Sequence, residues 1–268
     1  MPGDALNVLI IGETGVGKSS VVNLIAGRDR AKVSPDCNVC TKKTTRYDMT
    51  IDSMPLHVWE IVGFNQPTDG KNAADKDISM QDVDLGTILS HDETATVDVV
   101  LFCMRGERVR GITKKILDFV KNMFWDQVPI VLVINHLELK ENMEEWWGQN
   151  GGALRTENGF EGIGHVCVTG LRDHHKYKQS QEAILAQLRA HHYGARGNKT
   201  LESIFLTYLR GHLSQKQNLK ETLEKRYKID ALTARRFQED LAPLSPTNGV
   251  PVRNGWLWLP TLLSNLFK

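Results

Sequence analysis

Along the first 192 residues, short apolar runs alternate with stretches that are apolar on one side only; from about residue 199 the short runs stop. Residues 6–11 form a mostly apolar run that ends in a glycine-rich loop, and 19–26 carry helical spacing closed by Gly27. A polar, turn-rich stretch reaches Thr45. Residues 47–51 and 56–61 then read as the two strands of a hairpin, joined through Asp-Ser-Met-Pro at 52–55. Residues 63–80 have little periodicity and many Gly, Asn, Asp and Pro, which predicts a mobile loop. Residues 97–104 and 129–135 have the length and continuous apolar character of buried parallel strands, and 112–124 between them puts Ile112, Ile116, Phe119, Val120 and Met123 on one helical face. A strand at 165–169 and a helix at 180–190 complete the pattern. The expectation is an α/β three-layer domain with a mostly parallel six-stranded sheet and helices on both faces. Helices at 201–213 and 218–241 follow, then a linker with three prolines at 242–254 and an apolar tail. The implied organisation is a domain over 1–192, a helical extension over 193–241, and a linker and tail over 242–268.

The loop after the first strand reads Gly-Glu-Thr-Gly-Val-Gly-Lys-Ser at 12–19. A phosphate tail needs several donors converging on one anion, and glycines at 12, 15 and 17 let successive backbone N–H groups turn inward. Lys18 is then placed to reach the outer phosphates, the Ser19 hydroxyl to bind Mg2+, and the following helix to aim its positive end at the same place. A strand before and a helix after are the context this motif requires. The sequence therefore predicts a P-loop nucleotide-binding domain. Glu13, Thr14, Gly15, Val16, Gly17, Lys18, Ser19 and Ser20 are its candidate phosphate-binding residues.

Composition narrows the setting. With 268 residues and 41% hydrophobic content the chain can build one generous domain with an appendage, which excludes a disordered protein. The net charge of +1 hides an asymmetry: residues 1–170 carry 17 Lys/Arg against 24 Asp/Glu, and 171–236 carry 14 against 6. Cysteines at 37, 40, 103 and 167 are too few for a disulfide scaffold, two of them lie in apolar runs, and a reduced, cytoplasmic setting is expected. No leader-like segment or run long enough to span a membrane stands out.

Further motifs point to one kind of nucleotide. The stretches Gly-Glu-Thr-Gly-Val-Gly-Lys-Ser-Ser from 12, Val-Cys-Thr around Thr41, 59–63, Val-Leu-Phe-Cys-Met-Arg-Gly at 100–106, Val-Pro-Ile-Val-Leu-Val-Ile at 128–134 and Trp146-Trp147 resemble the immune-associated, AIG-type branch of the septin-like GTPases, especially short fungal members with a single G domain. The resemblance leaves the C-terminal third uncovered. It implies a G domain that binds GTP or GDP with Mg2+, switches the loops around 28–45 and 63–80, and self-associates as a homodimer or oligomer. Thr41 would be the switch residue closing on Mg2+ and the terminal phosphate, with Thr44 and Thr45 as neighbouring alternatives. The Asp-x-x-Gly box of the class stands here as Glu60-Ile61-Val62-Gly63. Glu60 would hold Mg2+ through water, and Gly63 would offer its N–H to the terminal phosphate. Lys18, Thr41 and Gly63 are the candidate catalytic set, and Ser19, Thr41 and Glu60 the candidate metal set. The next residue, where a water-orienting glutamine often sits, is Phe64, so hydrolysis is expected to be slow unless Asn65, Gln66, Arg105 or a partner supplies a donor. The base box reads Asn135-His136-Leu137-Glu138: Glu138 would accept from the guanine N–H groups, His136 would stack on the base, and Thr169-Gly170 would close over the other edge.

Two rivals are a binding-only G domain, motivated by Glu60 and Phe64, and a P-loop kinase acting on a small molecule, motivated by Arg105, Arg108 and Arg110. Cys37-x-x-Cys40 lacks a second Cys/His pair at zinc spacing. Trp146 and Trp147 are expected to pack their helix rather than to meet a partner. The tail from Trp256 to Phe267 fits packing against the domain, with peripheral membrane attachment as the alternative. Lys and Arg in 171–236 are not interleaved with aromatics, so nucleic acid is not an expected partner.

Overall fold

A computed structural model describes residues 5–33, 43–64, 85–91, 95–107, 109, 111–124, 127–158, 162–193, 199–213, 219–226 and 229–241. The strands are β1 (Leu6–Gly12), β2 (Thr45–Ile51), β3 (Met54–Glu60), β4 (Val99–Arg105), β5 (Ile130–Asn135) and β6 (Gly164–Cys167). The helices are α1 (Lys18–Ala26), α2 (Leu85–His91), α3 (Gly111–Phe124), α4 (Glu144–Asn158), α5 (Tyr177–Tyr193), α6 (Leu201–Leu213), α7 (Leu219–Arg226) and α8 (Ala231–Leu241). The six-stranded, mostly parallel sheet expected from the apolar runs is present, in the order β2-β3-β1-β4-β5-β6, with only the β2–β3 pair antiparallel.

Alternate residues of each strand serve opposite faces. Val8, Ile10, Val58, Leu101 and Val133 join Val21, Leu24, Ile184 and Leu188 of α1 and α5 in one core. Leu9, Ile11, Trp59, Phe102 and Leu132 join α3, α4, α6 and α8 in the other. Burial on both faces is why β4 and β5 are unbroken apolar runs. Trp146 and Trp147 are buried, and Trp147 stacks on His165 with ring centroids 3.9 Å apart, so this pair packs α4 onto the sheet as expected.

The helical extension shares the second core. Phe205 and Phe237 are fully buried with ring centroids 5.8 Å apart, and Tyr208 meets Phe119 of α3 edge-on at 5.8 Å. Each fully buried aromatic contributes about 1.5–3 kcal/mol of apolar burial, which helps to hold α6 on α3 and α8 on α6.

Two details differ from expectation. The β2–β3 turn is two residues, not four: Asp52 and Ser53 both have positive φ (48° and 65°), and Ile51 pairs with Met54. This is the backbone of a tight hairpin whose twist suits the strands. Pro55 lies inside β3 opposite Thr50, before the pairing of β3 with β1 begins at Leu56. The single helix expected over 218–241 is two, because Asp230 caps α8: its Oδ1 accepts from the N–H groups of Leu232 (3.1 Å) and Thr233 (2.9 Å). Those bonds hold the Asp230 carboxyl below its ordinary pKa.

Among the described residues no helix is long and apolar enough to cross a membrane, and no cluster of three or more His, Cys, Asp or Glu could hold a metal. Cys103 and Cys167 are free and buried, and burial pushes both thiols up to about 12. The expected linker and tail over 242–268, most of the loop over 63–80, and Cys37 and Cys40 lie outside the described residues.

Candidate nucleotide site

The order β3-β1-β4 makes β1 the strand at which the chain's direction of travel across the sheet reverses, and a crevice opens at the carboxyl ends of such strands. Every candidate site residue that is described sits at that edge: 12–20 after β1, 60–64 at the end of β3, Arg105 at the end of β4, 135–138 after β5 and 168–170 after β6.

The loop after β1 is built by its glycines for two different reasons. Gly15 and Gly17 have φ of 81° and 89°, which L side chains rarely adopt. Gly12 is needed for space, since a Cβ there would collide with the carbonyl of Cys103. The loop delivers Lys18 as the first residue of α1. Its Nζ is buried and donates to the carbonyls of Gly12 (3.2 Å) and Glu13 (2.9 Å). Burial lowers the ammonium's pKa, while the negative charge of Glu60 works in the opposite direction. Thr14 and Gly63 face each other beside it.

Ser19 Oγ donates to Glu60 Oε1 at 2.6 Å, and the Tyr47 hydroxyl donates to Glu60 Oε2 at 3.2 Å. Both carboxylate oxygens are thus engaged by hydroxyls, and Glu60 is 1% exposed. A serine hydroxyl and a carboxylate in contact are the hard oxygen donors Mg2+ takes, so the residues present fit that ion. The extra methylene of Glu60 relative to aspartate is accommodated by Tyr47, one strand over, which steadies the carboxylate. Burial and the Glu60 charge push the Tyr47 phenol up to about 12, so it remains a donor. Were Glu60 to hold Mg2+ for a bound nucleotide, replacing Tyr47 with Phe would be expected to raise the Mg2+ concentration needed for half-maximal nucleotide retention by roughly tenfold, the usual effect of losing a support behind a metal ligand. A Mg2+ titration of nucleotide release checks this, and an unchanged midpoint would reduce Tyr47 to a packing residue.

After Glu60, the chain continues beside β1. Phe64 N–H donates to the Gly12 carbonyl (3.4 Å) and the Thr14 N–H donates to the Phe64 carbonyl (2.9 Å). The Phe64 side chain turns into the core, 1% exposed, with its ring centroid 6.3 Å from that of Phe119. Position 64 itself therefore offers no polar side chain to orient a water. Arg105 is exposed and pairs with Glu107 at 3.8 Å. Thr41, Asn65, Gln66, Arg108 and Arg110 lie outside the described residues, whereas Thr44 is buried and Thr45 opens β2 opposite Glu60.

At the other end, Asn135 is a buried tie between three loops. Its Nδ2 donates to the Val16 carbonyl (3.3 Å), and its Oδ1 accepts from the N–H groups of His136 (2.9 Å) and Gly170 (3.0 Å). Gly170 is also in close packing with Ser20, whose Cβ would lie 2.6 Å from an added Cβ. His136 has φ 64° and its ring lies against the phosphate loop, Nε2 falling 3.4 Å from a Cβ placed on Gly17. His136 is exposed as a residue, yet the burial its ring does have, helped by the Arg105 charge, lowers its pKa. Glu138 reaches the loop after β6: the Thr169 hydroxyl donates to Glu138 Oε2 at 3.2 Å. The geometry thus brings together the phosphate loop, Glu60, Gly63 and the base box.

Sequence reasoning missed three residues. Tyr47 is one. Thr113, at the start of α3, donates a short hydrogen bond to the carboxylate of Glu13, so Glu13 turns its side chain away from the phosphate side and braces the loop against α3. Ser180 accepts the Thr169 N–H at 3.0 Å and fixes the strand end behind Glu138. Only Tyr47 left a signal: with a two-residue turn at 52–53, it falls diagonally across from Glu60.

The fold and this crevice define a P-loop protein of the G-domain class. Comparison with known proteins agrees: the family model described as 50S ribosome-binding GTPase matches residues 7–136, and the chain carries a GTP-binding G domain. The tRNA modification GTPase MnmE of Hydrogenovibrio crunogenus is 24% identical over 192 residues, covering 70% of this chain and 39% of its own length. That of Histophilus somni is 28% identical over 155 residues, covering 56% and 31%. The chain thus spans well under half the length of these relatives. Toc33 from Arabidopsis thaliana in complex with GDP and Mg2+ superposes with a TM-score of 0.53 at 17% identity over 74% of this chain and 87% of Toc33. A structure concerning dimerization and GTPase activity of the chloroplast translocon components atToc33 and psToc159 gives 0.54 at 16%, over 72% and 85%. These likenesses establish the fold.

Proposed function

We propose that this protein is a nucleotide switch that binds GTP or GDP with Mg2+ and hydrolyses GTP slowly. The observation that carries the reading is the convergence of Ser19, Glu60, Lys18 and Gly63 at one end of the crevice with Asn135, Glu138, Thr169 and Gly170 at the other. Backbone N–H groups of 15–17, with Lys18, would neutralise the phosphates. Ser19 and Glu60, with Thr41 from the loop before β2, would hold Mg2+, which supplies charge stabilisation at the phosphates when bound. Gly63 would report the terminal phosphate and shift the segment that follows it. Glu138 would accept from the guanine edge while His136 packs on the phosphate loop beside the base. Slow turnover follows from Phe64: with its ring in the core, the attacking water is left without an orienting side chain from that position.

Self-association across the nucleotide face accompanies this reading, as does membership of the AIG-type branch; the first draws support from dimerization being tied to GTPase activity in atToc33 and psToc159. The functional unit would be the G domain of 1–192 with its 193–241 extension docked on α3, acting in the cytoplasm, with membrane contact limited to the tail. The burial of Phe64 equally favours a second reading, a domain that binds guanine nucleotide without turnover. The two separate in one experiment: equilibrium binding of GTP, GDP and ATP with Mg2+, followed by multiple-turnover phosphate release across a range of protein concentrations. Guanine-selective binding with release that rises per molecule as protein is concentrated supports the self-associating hydrolase. Binding with no release supports the second reading, and ATP preference with an acceptor-dependent product would replace both with a kinase.

A further inference from the structure

Thr14 carries a side chain that the reading above does not use. Its Oγ1 is buried and has no hydrogen-bond partner, although buried hydroxyls nearly always find one. The hydroxyl faces a defined place: a Cβ added to Gly63 would stand 2.5 Å from Thr14 Oγ1 and 2.7 Å from Lys18 Nζ. An unpartnered donor, an ammonium group and a residue with no side chain therefore enclose one point between the ends of β1 and β3. The backbone donor of the same residue is engaged, since the Thr14 N–H bonds to the Phe64 carbonyl at 2.9 Å. Phe64 withdraws its own side chain to Phe119, so the segment after Gly63 sends no described polar side chain to that point.

We propose that the Thr14 hydroxyl donates a hydrogen bond to the terminal phosphate of a bound nucleoside triphosphate and so sets the preference for triphosphate over diphosphate. The inference rests on the nucleotide-binding reading above and adds to it a specificity-determining side chain. A diphosphate lacks the acceptor that Thr14 would address, so the bond strengthens binding of the triphosphate alone. A hydrogen bond to a charged acceptor in a buried site is worth roughly a tenfold or greater change in affinity.

The test measures dissociation constants of GDP and of the non-hydrolysable triphosphate GMPPNP, both with Mg2+, for the full chain and for Thr14→Val and Thr14→Ser. Valine keeps the β-branched shape and removes the donor; serine keeps the donor. The expected result is that Thr14→Val lowers the ratio of GMPPNP to GDP affinity by about tenfold with GDP affinity unchanged, and that Thr14→Ser retains the wild-type ratio. An unchanged ratio in Thr14→Val overturns the proposal, as does an equal loss of both nucleotides, which would mark Thr14 as a packing residue of the loop. Wild-type protein that binds neither nucleotide would instead overturn the functional reading on which the proposal stands.

Discussion

Lys18→Met is expected to weaken both GDP and GTP by ~100- to 10,000-fold while leaving the nucleotide-free protein folded. The ammonium is buried among backbone carbonyls, donating to Gly12 and Glu13 at 3.2 and 2.9 Å. A polyphosphate offers it stronger acceptors in the same place, and two charge-assisted hydrogen bonds are worth about 1.5–3 kcal/mol each, which sums to that range. Methionine preserves the length and apolar contacts of the stem. The fold should therefore hold, because removing the buried cation also removes its desolvation cost, the cause that lowers its pKa, and the Glu60 carboxylate left behind keeps the hydroxyls of Ser19 and Tyr47. Isothermal titration with each nucleotide, alongside thermal unfolding without nucleotide, reads both halves of the expectation. Affinity within threefold of wild type would mean that the loop does not hold phosphates through Lys18, and would remove the main support for the nucleotide site.

Lys18 was legible because its motif is local: glycines, lysine and hydroxyl lie within the eight residues 12–19, directly after a strand, and the chemistry forces that spacing. The parallel strands were legible for a similar reason, since burial on both faces leaves a continuous apolar run that little else produces. What failed to show depended on contacts that the sequence does not order. Glu13 reads as one more loop residue until α3 brings Thr113, a hundred positions away, against its carboxylate. Tyr47 reads as a β-former until the hairpin register is known, and Pro55 misdirects that register, because proline signals a turn more often than a strand. Asp230 stands in a helical pattern with no proline or glycine beside it, and only its bonds to the next turn show that it starts a helix instead of continuing one. Phe64 was correctly seen to lack a polar group, but its destination was set by Phe119 on a different element. That destination matters for mechanism: the aromatic contact runs on from Phe119 to Tyr208 of α6, which places the residue after Gly63 in the same core as the helical extension.

Glu138→Gln is expected to reverse base preference from guanine to xanthine, with GTP weakened by ~100-fold or more and XTP gained. The Thr169 hydroxyl accepts the Leu171 N–H at 3.2 Å, which leaves its own proton for Glu138 Oε2 at 3.2 Å. One carboxylate oxygen is thereby fixed, and the carboxylate as a whole can only accept. Guanine presents donors at N1 and at its exocyclic amine, so a carboxylate matches both. Glutamine would keep its carbonyl oxygen toward Thr169 and the base N1–H, and would turn its amide N–H toward position 2. There guanine offers another donor and xanthine a carbonyl, so the mismatch leaves a buried polar pair unsatisfied with GTP and satisfied with XTP. Sites built on hydrogen bonds to a ligand reject analogues far more strongly than sites built on apolar contacts. Competition of unlabelled GTP and XTP against a fluorescent diphosphate in wild type and variant reads the inversion directly. If Glu138→Gln lost GTP without gaining XTP, Glu138 would be a structural support for the loop after β6. If it kept GTP, the base edge would be read elsewhere in the crevice.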